Sequence, residues 1–383
     1  MTARASGTSD LAGLPEVARL MARLCEIPSP SRDEGAVAEV VRAELRGLGA
    51  EVTEDAAAAE IPAGCGNIVA RFAGTAPGTP IMLGAHLDTV PQLGPIVVRL
   101  DGDGRLTNGH PTILGGDNKS AVATILTAMQ RVVDEGRPHA GVEVLMTPCE
   151  EIGLQGASRF DPTRLVARVG FVFDHTGPVG GIVRSAPSLK KIEATFVGRA
   201  AHAGLEPEQG RSAIEAASRA VARMPLGRID ADTTANLGTI SGGTATNVVA
   251  ERCTLLAECR SRSERSLSRQ LTAMLDALTW AATECEVDLE TRVHSEFTGY
   301  RLSEKDPQVE MAMRALRACG LEPHFVDTGG GSDANALLLN GFPAVNLCNA
   351  MVDVHTPDES IAVADLERMV DVTLALIDAA RGE

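Results

Sequence analysis

Aromatic side chains are scarce in this sequence of 383 residues: they make up 3%, with a single Trp and a single Tyr. Proteins that hold single-stranded nucleic acid stack bases on such rings, so a surface of that kind is not expected. Basic residues are also outnumbered, because 35 Lys and Arg face 51 Asp and Glu, which gives a net charge of −16. This balance argues against binding a phosphate backbone and leaves a metal cation open as a ligand. We therefore predict no nucleic-acid partner.

Cysteine is sparse as well. The eight cysteines include no CxxC pair, so neither a disulfide framework nor a zinc ribbon is expected, and reduced thiols in the cytoplasm are the simplest interpretation. No apolar run approaches the roughly 20 residues needed to cross a bilayer. The opening segment MTARASGTSD has no apolar centre of the kind a signal peptide needs. These absences predict a cytoplasmic protein without a membrane partner.

Predicted strands and helices alternate along both ends of the chain. This pattern indicates an α/β domain with a mostly parallel sheet and helices on both faces. Near the N-terminus, the segment SRDE at residues 31–34 predicts a capping box at the start of a helix. The middle of the chain follows the order βαββαβ, which is typical of a ferredoxin-like α+β unit inserted into the larger domain. We therefore divide the chain into residues 1–187, 188–296 and 297–383, of which the first and third form one domain.

Clusters of His, Asp and Glu follow the predicted strands, at the sheet edge where α/β proteins bind ligands. The residues in these clusters are His86, Asp88, Asp117, Glu150, Glu151, Asp174 and His355. Taken singly, each has an ordinary explanation: Asp117 could cap a helix, the two adjacent glutamates could form a solvated turn, and His355 could be a surface residue. Taken together, they supply the oxygen and nitrogen ligands that zinc accepts. A metal site is therefore predicted at this edge.

The sequences of five segments, and their order along the chain, resemble those of a known family. HLDTVP, ILGGDNKSAVA, TPCEEIG, FDHTG and DVHTPDE are similar to the motifs of the co-catalytic dizinc exopeptidases, in their peptidase T-like branch. The family also holds carboxypeptidase G, acetylornithine deacetylase and succinyl-diaminopimelate desuccinylase, and the resemblance covers nearly the whole chain. Asn118 and Cys149 depart from it, since the family's tripeptidases often carry an acid there. Neither position is a ligand position.

The resemblance implies a zinc-exopeptidase-type fold and two Zn²⁺ ions per subunit, for which Co²⁺ or Mn²⁺ could substitute. Asp117 would bridge the two ions. The remaining implied ligands are His86 and Asp174 on one ion, and Glu151 and His355 on the other. Glu150 would act as the general base, and Asp88 would orient His86. The charges agree with this assignment, because two Zn²⁺, three carboxylates and one bridging hydroxide sum to zero.

The resemblance also makes the inserted unit a lid and dimerisation domain. It implies that His202 approaches the substrate and that Asn247 and Arg260 bind the substrate's terminal carboxylate or carbonyl. For Arg260 the alternative is a surface ion pair with Glu258 or Glu264. The segment GGGSD, which includes Gly331 and Ser332, could offer backbone amides to the substrate or could be a tight turn.

The predicted function is that of a zinc-dependent aminopeptidase. It would release the N-terminal residue of tripeptides or other short peptides through a metal-bridging hydroxide, as a homodimer joined through the lid. A carboxypeptidase, a dipeptidase or an N-acyl amino-acid deacylase of the same family is the alternative, since the metal motifs serve the chemistry that these enzymes share. A catalytically silent binding protein is a more remote alternative.

Overall fold

The computed structural model describes residues 11–382, which divide into two compact units. The first unit comprises residues 11–184, 302–327 and 332–382, and the second comprises residues 185–301 and 328–331. Each unit has its own sheet and its own helices. Within the described range, no helix combines the length and the apolar character that crossing a bilayer requires.

The helices and strands are numbered in chain order. The α-helices are α1 Glu16–Cys25, α2 Gly35–Gly47, α3 Ala57–Glu60, α4 Gly116–Asp134, α5 Gln155–Arg159, α6 Ala213–Arg223, α7 Glu264–Glu284, α8 Pro307–Ala318, α9 Asp333–Leu339 and α10 Val363–Ala379. The strands are β1 Glu51–Glu54, β2 Ile68–Phe72, β3 Ile81–His86, β4 Val98–Leu100, β5 Arg105–Asn108, β6 Val142–Thr147, β7 Val169–His175, β8 Gly181–Ala186, β9 Ser188–Val197, β10 Gly227–Arg228, β11 Thr233–Gly242, β12 Arg252–Ser261, β13 Asp288–Phe297, β14 Tyr300–Arg301, β15 His324–Asp327, β16 Ala344–Cys348 and β17 Ser360–Ala362. Short 3₁₀ turns occupy Leu11–Gly13, Pro162–Arg164 and Pro207–Gln209.

The main sheet of the first unit has the strand order β1-β2-β6-β3-β7-β16-β8. Its four central strands, β6, β3, β7 and β16, run parallel, and their neighbours towards each edge are antiparallel. The central strands are buried along almost their whole length, as expected for strands covered on both faces. Helix α4 packs on β3 and β7, while α9 packs on β7 and β16. The predicted α/β architecture is confirmed, and its parallel part is the centre of the sheet.

The second unit is a ferredoxin-like βαββαβ fold. Its sheet has the order β10-β11-β12-β9-β13, and neighbouring strands are antiparallel. Helices α6 and α7 pack on β9, β11 and β12, and both helices begin at a serine whose side chain accepts a main-chain N–H. The core between helices and sheet is built from apolar side chains on alternate strand positions, such as Ile192, Ala194 and Phe196. This unit therefore has a hydrophobic core of its own.

The capping box predicted at Ser31 is wrong. Helix α2 begins after Glu34, and neither residue caps it through its side chain. Glu34 is fully buried, and its carboxylate accepts hydrogen bonds from the main-chain N–H groups of Gly64 (2.7 Å) and Cys149 (3.1 Å). The Ser31 hydroxyl donates to Asp88 Oδ2 over 2.6 Å. Tertiary partners therefore take both side chains away from the helix start.

Candidate metal centre

The predicted metal ligands all belong to the first unit, where they lie at the end of a strand, in the loop that follows one, or at the start of a helix. His86 ends β3, Asp174 lies near the end of β7, and Asp117 is the second residue of α4. Glu151 follows β6, and His355 follows β16. Because β3, β6, β7 and β16 are parallel neighbours, their carboxyl ends meet at one edge of the sheet.

Asp117 lies between two histidines. Its Oδ1 is 3.4 Å from His86 Nε2, and its Oδ2 is 3.5 Å from His355 Nε2. Beyond His86, the Asp174 Oδ1 atom lies 3.5 Å from the same Nε2. On the other side, His355 Nε2 lies 2.9 Å from Glu151 Oε1. Each oxygen of the Asp117 carboxylate thus faces a different histidine–carboxylate pair, which is the arrangement that a bridging ligand requires.

Potential ligand atoms converge in two overlapping groups. The atoms of His86, Asp117 and Glu151 lie within 4.8 Å of one another, and so do those of His86, Glu150 and Asp174. Asp117 Oδ1 is buried and has no hydrogen-bond partner among the described atoms. Imidazole nitrogens and carboxylate oxygens are the ligands that Zn²⁺ accepts. The donor set and the unpartnered oxygen therefore fit a pair of metal ions.

The electrostatics of the cluster agree with that fit. Burial raises the pKa of Asp174 to about 7, with a further increase from the Asp117 carboxylate. Hydrogen-bond contacts with Asp117 and Glu151 raise the pKa of His355 to about 10. Burial alone would lower the pKa of His86, but the carboxylates around it raise it well above its ordinary value. Without metal, these groups therefore retain protons that a divalent cation would displace, since metal ligands bind in their deprotonated forms.

The carboxylate of Asp88 organises the turn that carries the two glutamates. It is fully buried, and its two oxygens accept the main-chain N–H groups of Glu150 (2.9 Å) and Glu151 (3.1 Å). His86 Nδ1 lies 2.9 Å from the main-chain oxygen of Asp88 and 3.4 Å from its carboxylate. Asp88 thus contacts His86 mainly through its backbone, and its side chain holds the segment of the predicted base.

Glu150 lies beside the ligands in the same buried region. Burial raises the pKa of its carboxyl group well above the ordinary value, and the negative charge of Asp174 adds to this effect. A carboxylate with a raised pKa can accept a proton and hold it near neutral pH. Glu150 therefore has the environment of a proton carrier.

Sequence reasoning missed several residues that support the centre. Asn346 lies inside the apolar strand β16, where its Oδ1 accepts the main-chain N–H of Asp174 and its Nδ2 donates to the Asp174 carbonyl, both over 2.9 Å. Asp333, fully buried at the start of α9, accepts a hydrogen bond from the Thr147 hydroxyl. A polar residue within an otherwise apolar strand was the signal that could have identified Asn346, because buried amides need hydrogen-bond partners.

The predicted substrate-binding residues are divided between the units. His202, Asn247, Arg260 and Gly331 belong to the second unit, and Ser332 belongs to the first. The segments of His202 and Asn247 are paired, since the N–H of Ala203 donates to the Asn247 carbonyl and His202 forms a β-bridge with Val248. These contacts bring two of the predicted residues together on neighbouring loops.

The remaining predicted substrate-binding residues have partners of their own. The Arg260 guanidinium forms two hydrogen bonds with the Glu258 carboxylate, at 2.8 and 3.2 Å. This is the ion pair that the sequence offered as the alternative to substrate binding. Ser332 is buried at the start of α9, where it forms a reciprocal capping box with Asn335. Gly331 leaves no room for a side chain, because an added Cβ would lie 2.6 Å from the Phe297 ring.

The fold and the site are those of an α/β protein with a candidate dinuclear metal centre, and comparisons with known proteins identify its family. Residues 82–379 match Peptidase family M20/M25/M40. The chain is 35% identical to the uncharacterized protein YqjE of Bacillus subtilis (strain 168) over 93% of this chain and 96% of that one. Among solved structures, aminopeptidase PepT from Bacillus cereus ATCC 10987 is 34% identical with a TM-score of 0.84, covering 95% of this chain and 98% of that chain. A tripeptidase from Staphylococcus aureus is 30% identical with a TM-score of 0.90, covering 98% and 100%.

The chain therefore belongs to Peptidase family M20/M25/M40. The resemblance to its peptidase T-like members, predicted from the sequence motifs, is confirmed. The protein is a metallopeptidase.

Proposed function

We propose that this protein is a dizinc aminopeptidase that releases the N-terminal residue of tripeptides and other short peptides. The observation that carries the proposal is the position of Asp117, whose two oxygens face two separate histidine–carboxylate pairs beside Glu150. The similarity to aminopeptidase PepT and to a tripeptidase, over nearly the full length of each, supports the substrate class.

The proposed ligands divide as the distances suggest. His86 and Asp174 would hold one ion, Glu151 and His355 the other, and Asp117 both. A bound pair of Zn²⁺ ions supplies Lewis-acid polarisation of the scissile carbonyl and lowers the pKa of water; Co²⁺ or Mn²⁺ could replace them.

Glu150 is the proposed general base. Its carboxylate would accept a proton from the attacking water and pass it to the nitrogen of the leaving amine. Asp88 would contribute by holding the Glu150 main chain and by fixing the orientation of His86. Asp88 and Glu150 are both buried.

The second unit is the proposed lid, and the first unit is the proposed catalytic domain. On the lid, His202, Asn247 and Arg260 would bind the substrate, and the Gly331–Ser332 amides would add contacts. A peptide carboxylate would compete with Glu258 for the Arg260 guanidinium, because two of its nitrogens already bond to Glu258. An ionised substrate carboxylate is a good competitor, since the planar guanidinium group binds both oxygens of a carboxylate.

We further propose a cytoplasmic homodimer joined through the lid. The cytoplasmic location is supported by the cysteines, all eight of which lie in the described range and carry free thiols. The dimer is supported by β11, whose second half lies at the edge of the lid sheet and exposes Ile240. Multi-angle light scattering tests the dimer, which a monomeric mass would exclude.

A panel of matched peptides tests the activity. The zinc-loaded protein should cleave free and C-amidated tripeptides and release the first residue, as identified by mass spectrometry. It should not cleave N-acetylated tripeptides, because an aminopeptidase needs the free amino terminus. Release of the last residue would indicate a carboxypeptidase, and release of acetate would indicate a deacylase; either result would overturn the proposal.

A further inference from the structure

Glu359 is a buried carboxylate that touches the segment of the proposed bridging ligand. Only 2% of the residue is exposed. Its Oε2 accepts the main-chain N–H groups of Leu114 (2.9 Å) and Gly115 (3.0 Å), and its Oε1 accepts that of Asp117 (2.9 Å). One side chain thus satisfies three backbone donors within four residues.

These three N–H groups need an external acceptor because of the backbone conformation. Gly115 has a φ of +73°, and Asp117 is non-helical although it lies at the start of α4. The first N–H groups of a helix have no acceptor within the helix, so those of the N-cap Gly115 and of Asp117 depend on side chains or water, and Leu114 directly precedes them. The Glu359 carboxylate supplies that acceptor in a buried place, where an unpaired donor would be costly.

Glu359 also connects two ligand segments. It lies four residues after His355, on a segment closed by reciprocal main-chain hydrogen bonds between Val352 and Ser360. The segment of His355 is therefore tied to the segment of Asp117 through one side chain. The separation of the two ligands, 3.5 Å between Asp117 Oδ2 and His355 Nε2, depends on where these two segments lie.

We propose that Glu359 is a positioning residue of the metal centre: it fixes the backbone of residues 114–117 and so holds the Asp117 carboxylate between the two ion positions. This inference rests on the proposed dinuclear site. Groups that hold metal ligands in place typically change metal affinity about 10- to 100-fold when they are replaced. We expect both ions to be affected, because Asp117 faces both histidines.

Glu359→Gln is the sharpest test, since it keeps the size of the side chain and leaves one acceptor oxygen. The amide nitrogen must then face either the Asp117 N–H or the N–H groups of Leu114 and Gly115. The matched control is Asp358→Asn, which removes a neighbouring exposed charge. Zinc affinity is measured by competition with a chromophoric chelator, and the geometry of the site is measured by the visible absorption of the cobalt-loaded protein.

We expect wild-type and Asp358→Asn proteins to bind two ions alike. Glu359→Gln should bind them about 10- to 100-fold more weakly and with an altered cobalt spectrum, while its apo-form keeps the wild-type circular dichroism. Unchanged affinity and an unchanged spectrum in Glu359→Gln would overturn this inference alone. Fewer than two ions on the wild-type chain would overturn the proposed function as well.

A second measurement needs no variant and so remains decisive if Glu359→Gln does not fold. Hydrogen exchange of the wild-type apo-protein, resolved to single residues by fragmentation, reports on the amides of residues 114–117. Hydrogen bonds to the Glu359 carboxylate should protect Leu114, Gly115 and Asp117. Exchange at the rate of an unstructured peptide would show that the carboxylate does not hold this segment.

Discussion

Glu150 is the side chain whose chemistry can be separated most cleanly from metal binding. Glu150→Gln keeps the shape of the residue but cannot accept a proton, so turnover should fall about 10²- to 10⁴-fold. The main-chain bond from Glu150 to Asp88 does not involve the altered group and should persist. Steady-state kinetics and zinc content measured on the same preparation check this expectation. Turnover within a few-fold of wild type, at full zinc content, would contradict the assignment of Glu150 as the base.

Asp117 differs from the other ligands because it faces both histidines. Asp117→Ala should therefore remove both ions, and His355→Ala should weaken only one of them. Elemental analysis of dialysed protein should give roughly two zinc ions per chain for wild type, about one for His355→Ala and fewer than one for Asp117→Ala. If Asp117→Ala retains two tightly bound ions, the bridging ligand is a different residue.

Among the strands, β16 is held to β7 by more than the parallel ladder. Asn346 bonds to both main-chain groups of Asp174, so Asn346→Leu would remove the side-chain partner of a partly buried N–H and of a partly buried carbonyl. We expect a loss of about 1–3 kcal/mol in the free energy of unfolding of the apo-protein, measured in urea. Asn340→Leu is the control, because Asn340 is exposed and makes a single 3.2 Å bond to the Phe160 carbonyl. An equal loss of unfolding free energy in the two variants would show that the Asn346 contacts stabilise the protein no more than the single Asn340 bond does.

The secondary structure shows which features local sequence can predict. The central strands are mostly apolar segments, and their burial follows from that composition. The start of α2 was mispredicted because the fold brings Gly64 and Cys149 to the Glu34 carboxylate, and nothing near residue 34 encodes those partners. That the predicted ligands lie close together was predictable, because parallel strands end at one edge of the sheet. The hydrogen bonds by which Asn346 and Glu359 support the site were not predictable, because they join segments that are distant in the sequence.

At the scale of the molecule, the five proposed metal ligands lie in one unit, whereas the other unit has a separate core. Metal binding should therefore stabilise the two units unequally. Ions that bind the folded first unit and not the unfolded chain stabilise that unit by mass action. The core of the second unit, formed by residues such as Phe196, Leu255 and Leu278, contains none of the proposed ligands.

Chelation should consequently shift only one of two unfolding transitions. An ion present at 1,000 times its dissociation constant stabilises a fold by about 4.1 kcal/mol. At about 2–4 °C per kcal/mol, its removal should lower the melting temperature of the first unit by roughly 8–16 °C. Calorimetry with and without EDTA measures the shift, and hydrogen exchange of peptides from α4 and α7 assigns each transition to its unit. Asp117→Ala protein is the control, because it has no ions left to lose and should not respond to EDTA. If α7 is destabilised as much as α4, the ions stabilise both units together and the two cores do not unfold separately.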